Sequence, residues 1–439
     1  MAESIRAQLE SDGVALLVGT AIDFAGGIHC KGVPIRRLPA FQETGMGASP
    51  SWNVFCADNG IAFTRSIGAV GDLRLRLDTA RVRKVDDGLA WGPASFHEQD
   101  GALSPLCPRG RLTAVVDSLT EHGLSPLMGT ELEFVLTTRD GGRLPKPGWT
   151  AYGMGAVSDR RGFLVDLTAT LEATGLGPEQ IHAEYGEDQF EVSLAPAQPV
   201  EMADACVLTR ILIGIVAARH GMAVSFSPLP WAGGAGNGAH LHLSLSRNNA
   251  PLFSGGRGPH GITVEGGSAI GGILAGLDGF LGIYAGSVIS AARLQPGQWS
   301  GAAACWGLEN REAALRFVAA TTGNPHGANV ELKVVDPSAN IYLAAAALLG
   351  SALNGIEEEL SLPVEVPGNP AEAADWPAAA VNADQATVLG RLERSELAAS
   401  ILGPEIVEGV VAVRRHEAGK FAGKAPAEIA QALRFAWSA

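Results

Sequence analysis

The sequence predicts an α+β fold in two parts: a small β-rich domain over residues 1–105 and a larger α+β domain over residues 106–439. Three observations carry this. The first hundred residues break into short strand-like runs. Beyond a Pro105–Arg109 connector, strand and helix signals alternate. Hydrophobic residues make up 46% of the 439-residue chain and charged residues only 18%, which supports a sizeable core and excludes a disordered chain.

The elements follow in order. From Asp72 to Asp78, leucines alternate with charged residues at the period of two of a half-buried strand. Arg111–His122 places Leu112, Val115, Val116 and Leu119 at helical spacing, with Gly123 as C-cap. Strands are expected at Glu131–Leu136, Gln189–Leu194 and His240–Leu245, and helices near Gly162–Thr174 and Met202–His220. The Ala/Leu-rich Asn340–Glu359 suits a buried helix. Ala371–Ala383, with Pro377 inside it, reads as a surface loop, and Val388–Ala418 has apolar residues at helical spacing.

Charge and cysteine usage exclude several classes. With 32 Lys+Arg against 46 Asp+Glu the net charge is −14, which argues against nucleic acid as a partner. Five scattered cysteines form neither a disulfide scaffold nor a thiolate zinc site. No signal-peptide pattern is seen near Met1, and the longest apolar run, Ile341–Leu353, is too short to span a bilayer. The expectation is a cytoplasmic protein without a membrane partner.

Four strand-like segments carry paired polar groups: Glu131 and Glu133; Glu184 and Glu191 about a turn; His240 and His242, followed by Ser244; and Glu331 between Asn329 and Lys333. Residues i and i+2 of a strand share a face. One such pair alone reads as a solvent-facing edge. Four together do not, because carboxylates turned inward are costly unless paired or metal-bound. Five carboxylates and an imidazole make a mostly oxygen donor set suited to Mg²⁺ or Mn²⁺. Arg293, Arg311 and Arg316 add cations, a combination that points to phosphate chemistry.

The order of these motifs resembles the bacterial type I glutamine synthetase family over nearly the whole chain. Gly129-Thr-Glu-Leu-Glu-Phe is similar to its G-x-E-x-E-F strand, and Glu184 through Glu191 to its E-x-G-x-x-Q-F-E segment. Gly236 through Leu245 resembles G-S-G-M-H-x-H-x-S-L, Asn310–Arg316 resembles N-R-x-x-x-x-R, and Glu331–Tyr342 resembles E-x-R-x-x-D-P-x-x-N-P-Y. The resemblance implies a β-grasp-like N-terminal domain, a catalytic domain with a curved antiparallel sheet, and a homo-dodecamer of two hexameric rings with sites between subunits.

It also implies roles. Glu133, Glu184 and Glu191 would hold one Mg²⁺ or Mn²⁺, and Glu131, His240 and Glu331 a second, with two or three ions per site. ATP, the co-substrate, would phosphorylate the γ-carboxylate of glutamate or an analogue, and an amine would attack the acyl phosphate. Arg311 and Arg316 would stabilise the transferring phosphoryl group. Arg293, Gly236 and Lys333 would contact the acid substrate; Glu179, His242, Ser244 and Arg316 would contact the nucleotide.

The departures bear on the amine. Ammonia-using members carry an aspartate in a D-G-S-S segment; here the matching stretch is Ala48-Ser49-Pro50-Ser51-Trp52. Their flap glutamate, shortly after a Pro-Gly pair, is replaced by Trp299 after Pro296-Gly297. An acceptor pocket including Ser49, Trp52, Tyr152 and Trp299 favours an organic amine, since ring faces attract cations and pack alkyl chains. A conventional ammonia-using enzyme and a catalytically altered, structural family member are the alternatives. No tyrosine lies beyond Tyr342, so regulation by adenylylation of a C-terminal tyrosine is excluded.

Overall fold

The computed structural model describes residues 2–146, 148–372, 379–381 and 384–438, so most of the expected Ala371–Ala383 loop lies outside the described residues. The N-terminal sheet contains β1 (Leu16–Ile22), β2 (Ile28–Pro34), β3 (Met46–Ala48), β4 (Leu73–Leu77), β5 (Arg83–Asp86) and β6 (Leu89–His97). β1 runs parallel to β6 and antiparallel to β2, and β6 leads through β4 to β3. In β4 the three leucines are buried and the two arginines are not, as alternation requires. One expectation needs correcting: the domain also holds a helix, Ala2–Ser11. Its only apolar signal is Ile5 and Leu9, an i, i+4 pair that packs on the sheet's core.

The larger sheet has ten strands, almost all antiparallel. They are β7 (Leu124–Thr138), β8 (Pro178–Ala183), β9 (Gln189–Leu194), β10 (Met222–Ser225), β11 (Ala239–Arg247), β12 (Ala250–Pro251), β13 (Ala303–Leu308), β14 (Ala313–Val318), β15 (Asn329–Leu332) and β16 (Ala379–Ala380). The main path runs β16-β13-β14-β15-β11-β7-β9-β8. The expected helices lie at Pro108–Glu121, Arg161–Ala173, Pro199–Arg219 and Ile341–Glu357, and the C-terminal pattern resolves into Gln385–Arg394, Glu396–Leu402 and Pro404–Phe421.

A further helix, Val264–Tyr284, escapes the apolar-run criterion because glycines and two acids interrupt it. By length and composition it matches a membrane span, but 78% of its apolar window is buried, largely against Ile341–Glu357. Its Gly272 meets Gly355 of that neighbour so closely that a Cβ would lie 2.6 Å from the Gly355 backbone. It is the core helix of this fold.

A buried polar latch joins the layers. Arg109 donates to both oxygens of Asp204 (2.9 and 2.8 Å) and to Asp78 (2.7 Å), and the Tyr342 hydroxyl donates to Asp204 (2.8 Å). Asp78 follows β4, so this network fastens the small domain to three helices of the large one, which carry Arg109, Asp204 and Tyr342.

Candidate active site

Strand register assembles the site. In the β7–β11 pair Glu131 stands opposite His240, and in the β7–β9 pair Glu133 stands opposite Glu191. His242 stands opposite Glu331, Glu331 opposite Arg316, and Glu191 opposite His182. Directly opposed residues project from the same face, so six strands deliver these groups to one side of the sheet. The β8–β9 turn adds Glu184 at its rim.

The distances are those of a shared site. His240 Nδ1 lies 3.1 Å from Glu131 and 3.4 Å from Glu331, while its Nε2 lies 3.8 Å from Glu133. His242 Nε2 lies 3.3 Å from Glu131. His182 Nε2 lies 2.7 Å from Glu184 and 3.8 Å from Glu191. Lys333 and Arg316 reach Glu331 at 3.0 and 3.2 Å, and Arg316 also pairs with Glu309. Gln189 Nε2 and the Gly238 N–H each donate to Glu133 at 3.0 Å.

The carboxylates do not balance internally. Burial, reinforced by the charges of Glu131, Glu133, Glu184 and Glu331, pushes Glu191 up to about 10. Burial raises Glu133 as well. Burial opposes the ionisation of Glu131 too, but His240 and His242 hold it well below the carboxylate range. In Glu331 the same burial cost is outweighed by Lys333, His240 and His242, down to about 2. A set of inward acids that must share protons or gain positive charge suits divalent cations. Three groups place their ligand atoms within 4.8 Å of one another: Glu131/Glu191/His240, Glu131/His242/Glu331 and His182/Glu184/Glu191. The donor chemistry fits a multi-cation centre.

The remaining predicted residues are distributed around this cluster. Arg293 is buried, donates to the carbonyls of Val334 and Lys333 (3.1 Å each) and lies 3.3 Å from His240 Nε2. The Gly236–Gly238 turn crosses over it. A Cβ on Gly238 would sit 2.3 Å from His240 Nε2, and one on Gly236 2.7 Å from Arg293 Cγ, so only glycine allows this approach. The neighbouring Asn237 is fully buried; it accepts from Gln189 and donates to the carbonyls of Ser225 and Ser227. His242 and Ser244, with Glu131 and Asn329, line a cavity of about 360 Å³ beside the cluster. Glu179 is exposed on the edge strand β8. Arg311 is exposed in the turn just before β14, near enough to Tyr152 to act on its charge. Tyr152, whose ring stacks on His182 at 6.2 Å, and Trp299 are both half exposed at the rim, each with a left-handed backbone (φ 56° and 52°). Ser49 is spent in its own turn, accepting from Ser51 Oγ at 2.8 Å, and Trp52 packs with His29 in the small domain. Among the described residues no ring contact joins Trp52 to Trp299.

His182 is a site residue that the sequence did not suggest. Its signal was parity alone: it stands two residues before Glu184 on a strand that pairs with Glu191's.

The cluster on a largely antiparallel sheet is an acid- and histidine-lined centre with the donor chemistry for metal cations. Comparisons with known proteins place it further. Residues 105–430 match the family described as "Glutamine synthetase, catalytic domain". The chain is 37% identical over 99% of its length to the gamma-glutamylpolyamine synthetase GlnA3 of Streptomyces coelicolor, covering 96% of that protein. It is 32% identical over 60% of its length to the glutamine synthetase of Pyrococcus abyssi, covering 59% of it. A solved structure titled "Crystal structure of novel glutamine synthase homolog" superposes with a TM-score of 0.87 at 30% identity, over 96% of this chain and 98% of that one. The chain therefore belongs to the glutamine synthetase family, whose members are ATP-dependent carboxylate–amine ligases.

Proposed function

We propose that the protein joins the γ-carboxylate of glutamate, or a close analogue, to an organic amine of the polyamine class, with ATP as co-substrate. The observation that carries this is Trp299, half exposed on the flap beside a complete acid and histidine set. The full-length similarity to a gamma-glutamylpolyamine synthetase supports it.

In this reading Glu133, Glu184 and Glu191 hold one divalent cation and Glu131, His240 and Glu331 a second. The cations would screen the phosphate oxygens during transfer. His242 and Ser244, lining the cavity, receive the nucleotide, with Glu179 at its edge. Arg293, under the Gly236 turn, and Lys333 orient the acid substrate. A γ-carboxylate oxygen forms a bond to the terminal phosphorus of ATP as the bond to ADP breaks; Arg311 and Arg316 stabilise the charge on the transferring group. The amine nitrogen then attacks the acyl carbon, loses a proton and expels phosphate. Tyr152 and Trp299 supply aromatic faces for the alkyl-ammonium chain, and Ser49 the complementary wall from a neighbouring subunit of a ringed homo-oligomer.

The test is phosphate release with glutamate and a panel of ammonia, ethanolamine, a short alkylamine, an aromatic amine, putrescine and spermidine. The highest kcat/KM is expected with a di- or polyamine. The highest value with ammonia would overturn the reading and favour an ordinary glutamine synthetase.

A further inference from the structure

The flap that carries Trp299 is held by Glu312, a variable position of the Asn310–Arg316 segment to which no role has been given above. Trp299 sits between Gly297 and Gly301, whose backbones are also left-handed (φ 78° and 79°). That region is open to glycine and disfavoured for a tryptophan, so something outside the turn must hold it there. Glu312 does so with both oxygens. Oε2 accepts from the Gly297 N–H at 3.2 Å and Oε1 from the Trp299 N–H at 3.3 Å. Glu312 is itself fixed: its N–H donates to Asn310 Oδ1 at 3.1 Å, and Asn310 Nδ2 donates to the carbonyls of Val366 and Gly368 at 2.9 Å each.

The base of the flap touches the cluster. A Cβ on Gly301 would lie 2.9 Å from Lys333 Cβ, and Lys333 donates to Glu331 at 3.0 Å. Arg311 is Glu312's chain neighbour, so one short turn carries a cation for the phosphoryl group and a carboxylate for the flap. Chemistry and closure are thereby set by adjacent residues.

We propose that Glu312 is a positioning residue that latches the flap, holding Trp299 over the acceptor pocket and keeping water from the acyl phosphate. The proposal rests on the reading of Trp299 as the pocket's wall. Two fates compete for the acyl phosphate. Attack by the amine nitrogen forms the amide and releases phosphate and a proton. Attack by water on the acyl carbon returns glutamate and releases phosphate, with no bond gained. A loosened flap raises the second at the expense of the first.

The experiment measures glutamate-dependent phosphate release by the full-chain enzyme with and without putrescine, alongside KM for each substrate. Glu312→Ala is expected to raise amine-free phosphate release and the KM for putrescine, each on the order of tenfold, with KM for ATP and Tm unchanged. Glu312→Gln, whose amide oxygen can satisfy one of the two N–H groups, is expected to fall between, and it serves if the alanine variant fails to fold. Wild-type partition and putrescine KM in both variants, while Trp299→Ala changes both, would overturn the latch. A wild-type enzyme that prefers ammonia would instead overturn the pocket reading alone, since the amine-free leak is measured without any amine.

Discussion

Two buried charge clusters in this fold are built on opposite balances. Around Arg109, the acids Asp78 and Asp204 meet a guanidinium and a tyrosine hydroxyl, and each oxygen in contact has a donor. On the face of the large sheet, Glu131, Glu133, Glu184, Glu191 and Glu331 converge, and among the described residues the only permanent cations paired with them, Lys333 and Arg316, both reach Glu331. The first cluster is complete as folded and ties domains together. The second is over-supplied with negative charge, an imbalance that bound cations would relieve. A buried carboxylate is informative through what surrounds it, not through its burial.

The comparison is broken most forcefully at the acid cluster. Glu133→Ala removes a ligand proposed for the shared centre and is expected to lower kcat/KM by about a thousandfold or more, read as steady-state phosphate release, with Tm of the cation-free protein unchanged or raised. At the latch the expectation reverses. Asp204→Ala leaves Arg109 buried without its main partner and should cost about 3–5 kcal/mol of stability in urea denaturation, with Mn²⁺ affinity of the folded protein unchanged. Equal loss of stability from both variants would erase the distinction.

A smaller effect sharpens it through pH. Glu191 is raised in the folded chain, to about 10, above its unfolded value of 4.5. Between those values the folded state holds a proton that the unfolded chain has released, so this group makes the cation-free protein less stable as pH rises through neutrality. Glu191→Gln should flatten that slope in thermal melts from pH 5 to 9, and an unchanged slope would assign it to other groups.

Much of this was legible in the sequence, and the gaps have physical causes. The leucine alternation of β4 was readable because burial on one face imposes a period of two. The helix Val264–Tyr284 was hidden because its helix–helix contacts use glycines, which carry little hydrophobic signal. At the site, Glu131 with Glu133 and His240 with His242 were visible as i, i+2 pairs on strands. His182 carried only its i, i+2 parity with Glu184, and Glu312 carried nothing, because it acts on Trp299 across a turn and that separation leaves no local pattern.

Mn²⁺ titration of the cation-free enzyme, followed by calorimetry, tests the central claim most directly. The account predicts at least two ions bound per chain, a rise in Tm on loading, and fewer ions bound by Glu133→Ala and by Glu191→Gln. A wild-type chain that binds no Mn²⁺, or variants that bind the same number as wild type, would contradict it.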